Sequence, residues 1–125
     1  SMRYLIDTNI IIDHLRGDSS ATAFLLQIED GRAQASISVL TEYELLAAPR
    51  LTPHQAQEIS RLLSLMPKMA VTSRVAHLAA EFRRRYQTNT VDALIAATAR
   101  LRRAVLVTRN VKDFRSIKGL KLHSI

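Results

Sequence analysis

The chain has no cysteine among its 125 residues. Disulfides, thiolate nucleophiles and cysteine-based zinc sites are therefore excluded, and the absence fits a reducing compartment. Glycine occurs only three times, and neither a Walker lysine motif nor a GxGxxG turn is present, so nucleotide binding by either device is out. No apolar run approaches the ~20 residues that a membrane-spanning helix needs, and nothing ahead of the first apolar residues has the form of a secretory signal. A soluble cytoplasmic protein is the expectation. No repeat, low-complexity tract or Gly/Ser linker divides the chain, which predicts one domain over residues 2–125, with Ser1 taken as a cloning remnant ahead of Met2. There is no Ser–His–Asp signal. His14, His54, His77 and His123 lie at no metal-binding spacing from one another and are expected to be surface or packing residues.

What is present is an ordinary globular balance, 47% hydrophobic and 23% charged, enough to bury a core at this length. Lys and Arg total 18 against 11 Asp and Glu, a net charge of +7. Such an excess points to a polyanionic partner, usually nucleic acid, ahead of the plainer alternative of a solubilising surface.

Strand and helix signals alternate. Residues 4–7 form a strand that leads into a helix ending near Gly17, and Ser19 or Ser20 can cap a second helix that ends near Gly31. "AQASIS" (33–38) is a short strand, after which Ser38 can cap a helix. Residues 51–65 are helical with Pro53 in the first turn, where proline is tolerated. Residues 68–72 predict a strand, Ser73 caps a helix through Tyr86, and Thr90 caps "VDALIAATARLRR". "AVLVT" (104–108) is a continuous apolar run, as expected of a central parallel strand, and "LKLHSI" is an edge strand. The fold class predicted is α/β, a three-layer α/β/α sandwich around a mainly parallel sheet.

In such sheets ligands bind beyond the carboxyl ends of the strands, where the N-terminal turns of the following helices also lie. Four acids pass that test. Asp7 ends the first strand, Asp92 occupies the first turn of its helix, Glu44 lies in the second turn after Ser38, and Asp113 falls in the loop beyond "LVTRN". Each has a plain structural alternative: Asp7 as a helix cap, Asp92 favouring a helix dipole, Glu44 solvated, Asp113 capping a turn. Four repelling carboxylates on one rim need a cation or a proton to resolve them, and oxygen ligands select Mg²⁺ or Mn²⁺. That chemistry suits hydrolysis of a phosphodiester by metal-activated water.

With these residues in place the chain resembles a PIN domain, specifically the VapC-type ribonuclease toxins of prokaryotic toxin–antitoxin pairs. The anchors are "LIDTNIIID", "SISVLTEYELL" (36–46), "TVDALIAATA" (90–99) and "LVTRNVKDF" (106–114), which together span essentially the whole chain. The resemblance implies a PIN-like sandwich, a metal-dependent endoribonuclease, an RNA substrate, a homodimer and a cognate antitoxin. It assigns Asp7, Glu44 and Asp92 as the main metal-binding and catalytic acids. Glu42 lies on nearly the opposite helix face from Glu44, and only the "T-x-x-E-L" match chooses Glu44. Asn110 stands where the family's fourth acid often falls, with Asp113 three residues on, so one well-formed metal site is expected and a second only weakly. Thr8, Asn9 and Thr108 are expected to hold Asp7 and bound waters, with Asn110 assisting.

Arg83, Arg84 and Arg85 end one helix and Arg100, Arg102 and Arg103 another. Helix C-termini are expected at the rim opposite the acids, which makes all six structural, or part of a dimer or distal surface, ahead of RNA clamps at the site. Arg109, directly after the buried strand, and Arg50, after the Glu44 helix, are the expected RNA contacts. The rivals are a non-catalytic RNA-binding module and an RNA-processing nuclease without an antitoxin. A DxDxT phosphatase is weaker, because Asn9 stands where its second aspartate belongs.

Overall fold

The structure is a computed structural model that describes residues 2–125. Its five strands are β1 (Arg3–Ile6), β2 (Gln34–Ser38), β3 (Lys68–Met69), β4 (Val105–Thr108) and β5 (Lys121–Ser124). They pair in the order β3-β2-β1-β4-β5, every pair parallel. Seven helices connect them: α1 (Thr8–Leu15), α2 (Ser19–Glu29), α3 (Val39–Leu46), α4 (Pro53–Leu65), α5 (Ser73–Tyr86), α6 (Thr90–Leu101) and α7 (Val111–Phe114).

The period-2 geometry of the strands divides the core into two layers. Leu5 and Leu106 point to one face, where they meet Val75, Ala79 and Phe82 of α5, the alanines of α6, and Phe114. Ile6, Ile37 and Val107 point to the other, against α1, α2, α3 and α4 through residues such as Ile10, Phe24, Leu45 and Leu62. Each fully buried side chain of this size contributes ~1.5–3 kcal/mol. Ala93, Ala96, Ala97 and Ala99 are buried, so α6 lies close against the sheet, as the sequence predicts.

Several boundaries differ from expectation for identifiable reasons. The third strand is only two residues long, and Thr72 rather than Ser73 caps α5. Asp18, not a serine, caps α2. Asn89 instead of Thr90 caps α6. Asp113 lies within the one-turn helix α7, not in a loop.

The chain steps outward from β1 through β2 to β3, then crosses back to place β4 on the other side of β1. The direction of strand order therefore reverses between β1 and β4, and the crevice beyond their carboxyl ends is the place where such sheets bind ligands.

A larger correction concerns the arginine-rich helix ends. No strand separates α5 from α6, so the two form an antiparallel hairpin and only α6 runs back along the sheet. Thr72, Arg74 and Val75 at the start of α5 share a cleft with Thr98, Leu101 and Arg102 at the end of α6. At the other end, Arg83 donates to the Thr88 carbonyl, 2.7 Å away, in the connector that leads to Asp92. Arg83, Arg84 and Arg85 thus lie at the acidic end. Arg102 and Arg103 lie at the far rim as expected, in a groove with Arg3, Val105 and Lys121.

The α1 helix, which begins at the crevice, is fastened at its other end. His14 bonds Thr22 of α2 through Nδ1 (2.7 Å) and Glu58 of α4 through Nε2 (2.6 Å). Arg61, bonded to both Glu58 and Glu29, and then His14 hold the Glu58 carboxyl down at about 2, against the opposing effect of burial. A depressed carboxyl contributes stability above its ordinary value of 4.5 and loses it as pH falls through about 2. Glu58→Gln is expected to cost about 1–2 kcal/mol at pH 7. Urea denaturation of the two proteins should show that difference shrinking steadily below pH 4.5.

Candidate active site

Asp7 follows β1 and occupies the N-cap position of α1 with extended backbone, yet its side chain makes no capping bond. Among the described residues α2 to α6 are capped by the side chains of Asp18, Ser38, Thr52, Thr72 and Asn89. The two helices without such a cap are α1, after Asp7, and α7, after Asn110. Both begin at the β1/β4 crevice. Capping is worth about 1 kcal/mol, so the Asp7 carboxylate forgoes a local stabilisation.

It turns to Thr108 instead. The Thr108 hydroxyl donates to Asp7 Oδ2 at 2.8 Å, across the crevice, while accepting from the Asn110 amide at 3.0 Å. A hydroxyl has one proton, so the incoming amide fixes the direction in which Thr108 gives it. The parallel register that aligns Ile6 with Val107 brings the two residues side by side. Asp7 is only 8% exposed and Thr108 fully buried. Among the described residues no Lys, Arg or His reaches Asp7 within ion-pair distance.

Glu44 is held from α1. Thr8 donates to Glu44 Oε1 at 2.7 Å, and Thr8 also contacts the Thr41 hydroxyl at 2.9 Å. Because the Thr8 proton goes to the carboxylate, Thr41 must be the donor in their shared bond, giving the order Thr41 to Thr8 to Glu44. Glu42 lies elsewhere, on a surface with Val39, Tyr43 and Leu46, so α3 presents Glu44 to the crevice. Asp92 is held from within its own helix end. Asn89 accepts from the Asp92 amide at 2.8 Å and donates to Asp92 Oδ2 at 2.8 Å.

The four acids sense one another. Burial raises the Asp7 carboxyl above the usual carboxylate range; the Thr108 hydroxyl and the Thr8 amide pull it back, and the charges of Glu44 and Asp113 push it up again. Burial raises Asp92 as well, with repulsion from Asp7, Asp113 and Glu44 adding to it and the Asn89 bond opposing. The acids from four segments therefore do share one rim. They do not form a closed cage, since among the described residues no three His, Asp or Glu side chains converge closely enough to grip an ion by themselves. The donor set fits a hydrated divalent cation. Mg²⁺ keeps several waters and takes only one or two carboxylates directly, and the buried, cation-free Asp7 is the group that needs one.

Several expected roles change. The Thr8 hydroxyl serves Glu44, not Asp7. Asn9 is exposed on α1 beside the site. Arg109 follows β4 as expected, but its guanidinium is taken by Asp13 (3.1 Å), Asp18 and Ser20, which bind it to the α1–α2 turn. Arg50 lines a groove with Ile12, Leu15 and Arg16 at the far end of α1 from Asp7. Neither offers a free cation to the crevice. Sequence reasoning missed Thr41 and Asn89. Both carried a signal, because each stands three residues before its acid, the spacing that makes neighbours on a helix or a cap.

A model of the PIN domain family matches residues 4–120. Ribonuclease VapC19 of Mycobacterium tuberculosis is 36% identical over 115 residues, covering 88% of this chain and 90% of that protein. Ribonuclease VapC10 of the same organism is 34% identical over 123 residues, covering 94% and 90%. A toxin–antitoxin complex from Klebsiella pneumoniae contains a chain 35% identical with a TM-score of 0.79, over 98% of this chain and 99% of that one. VapBC2 from Rickettsia felis, solved bound to a DNA fragment from its promoter, superimposes with a TM-score of 0.83 over 99% of both chains at 23% identity, a likeness of fold.

Acids whose proton affinity is raised by folding favour the fold fully below their ordinary value and lose that contribution as pH rises through the raised one. Above that raised value the charge on Asp7 therefore counts against stability. Asp7→Asn is expected to raise the melting temperature of the metal-free protein by roughly 2–5 °C. A scan in EDTA at pH 7 checks this, and a fall would show that Asp7 is stabilising as it stands.

Proposed function

The chain belongs to the PIN domain family, and from that membership we propose that it is a divalent-metal-dependent endoribonuclease, the toxin of a VapBC-type toxin–antitoxin pair. The observation that carries this reading is the Asp7 carboxylate, buried with no Lys, Arg or His partner among the described residues and close to the charges of Glu44, Asp92 and Asp113 at the β1/β4 crevice. Relatives from Mycobacterium tuberculosis bear the name ribonuclease, and the Klebsiella chain belongs to a toxin–antitoxin complex.

Asp7, Asp92 and Glu44 would hold one Mg²⁺ or Mn²⁺, some directly and some through water, with Asp113 and Asn110 assisting from the start of α7. The bound cation would neutralise charge developing on the phosphodiester and make a nearby water more acidic. The protein's own part is orientation. Thr108 holds one oxygen of Asp7, the Thr41–Thr8 pair holds one of Glu44, and Asn89 holds one of Asp92. Each of these side-chain bonds engages a single oxygen of its acid. No side-chain nucleophile is required: water adds to phosphorus and gives up a proton, while the P–O bond to the ribose oxygen of the departing RNA strand breaks and that oxygen takes one up.

A protein partner fits the surface of α3, where Tyr43 and Leu46 are 68% and 65% exposed beside Val39. Apolar patches of this kind mark interaction sites, consistent with an antitoxin or a second copy in a homodimer. No helix among the described residues is long and apolar enough to cross a membrane, and a cytoplasmic location is part of the same proposal.

Asp92→Asn is expected to abolish cleavage of RNA by the purified protein while leaving its circular dichroism unchanged, with a loss of 10² or more in rate. Undiminished turnover would remove Asp92 from the mechanism. EDTA is expected to silence the wild-type protein and Mn²⁺ to restore it, read as fragments of total cellular RNA on a gel. Cleavage that persists in EDTA would end the metal reading.

A further inference from the structure

A rim lined by four carboxylates repels the polyanion it is to cut. The chain nevertheless carries a net charge of +7, so attraction must come from cations placed near the rim but outside it. Arg109 is engaged by Asp13 and Asp18. Arg100 donates to the Lys118 carbonyl, and Arg102 and Arg103 lie in the groove at the opposite rim. Lys112, exposed beside Asp113 on α7, is a single cation, whereas the last turn of α5 gathers three. Arg83, Arg84 and Arg85 are all exposed there, and none of them pairs with a carboxylate among the described residues. Among the described residues Arg84 and Arg85 make no side-chain hydrogen bond to the protein.

Their position is set by a short rigid path. Gln87 ends α5 in the left-handed conformation. Arg83 is tied to the Thr88 carbonyl at 2.7 Å, and the next residue, Asn89, grips Asp92 at 2.8 Å. The arginine turn and the acid Asp92 are thus two ends of one connector only three residues long.

We propose that Arg84 and Arg85, braced by Arg83, form a ribose-phosphate binding surface that holds RNA alongside the acidic crevice. The surface deepens the ribonuclease reading and rests on it for the identity of the polyanion. Guanidinium groups suit the task, because their planar forks bind phosphate oxygens in pairs and keep their charge at any working pH. Placed beside the crevice and not within it, they bind the chain of phosphates flanking the scissile one. Such contacts strengthen the bound substrate and the transition state equally, and so act on KM. The competing explanation is that these arginines merely complement the α5 dipole. Arg102 and Arg103 do the same for α6, which makes them a matched control of equal charge at the wrong rim.

The test uses the full-length protein and a fluorescent single-stranded RNA, with affinity measured in EDTA across a salt series. The Arg84→Gln/Arg85→Gln double variant is expected to bind about tenfold more weakly and to lower the slope of log affinity on log salt by about 1–1.5, as for two lost phosphate contacts. The Arg102→Gln/Arg103→Gln variant is expected to stay within about twofold of wild type. In Mn²⁺ the first variant should raise KM by a similar factor with kcat unchanged. Equal weakening in both variants, or none in the first, would overturn the proposal. An Arg84→Lys/Arg85→Lys variant should keep most of the salt slope; if it loses as much as the glutamine variant, the loss is not electrostatic and the proposal fails. Wild-type protein that binds RNA with the expected variant pattern but cuts none in Mn²⁺ would sink the nuclease reading and leave this surface standing.

Discussion

The hydrogen bond from Thr108 to Asp7 is the contact on which the rest of the crevice depends. It joins the ends of the two strands between which the sheet reverses its order, and it holds a carboxylate where water is scarce. A buried charge without a counter-charge is costly, and only part of that cost is offset by one hydroxyl and a backbone amide. The remainder is tolerated because the surrounding layers are well packed, with Leu5, Ile6, Leu106 and Val107 fully buried directly beneath. Stability is spent at the rim and supplied by the core.

The same contrast runs through the helix starts. Five helices follow the ordinary rule and satisfy their first amides with a side chain. The two that flank the β1–β4 junction, α1 after Asp7 and α7 after Asn110, do not. Local rules fail where a residue serves a different purpose, and at α1 the exception is itself one of the four acids. Thr108, Thr8 and Asn89 then act as fixed donors to Asp7, Glu44 and Asp92, with Thr41 orienting Thr8, before any ligand arrives.

Much of this was legible in the amino-acid order. Alternating strand and helix signals put Asp7, Glu44 and Asp92 at one edge by topology alone, and the apolar run of β4 identified the centre of the sheet. What could not be read was orientation. The rule that helix C-termini lie opposite the acids holds for a helix that runs back from one strand to the next, whereas the consecutive helices α5 and α6 turn back on each other and bring Arg83, Arg84 and Arg85 to the acidic end. Arg109 was correctly located but its engagement was hidden, since Asp13 and Asp18 come into reach only when the α1–α2 turn folds under β4. The sharing of Thr8 between Thr41 and Glu44 likewise depends on how α1 crosses α3, which no periodicity encodes.

The connector at residues 87–89 has a bearing beyond its size. A single tight bend, begun by Gln87 at φ 56° and closed by the Asn89–Asp92 clasp, sets how far the gripping end of one helix stands from the cutting end of the next. It behaves as a gauge block: the reach between anchorage and incision is machined into three backbone units, so chains built on this plan would change their footprint on a nucleic acid by adding or removing links at this bend while leaving the sheet untouched.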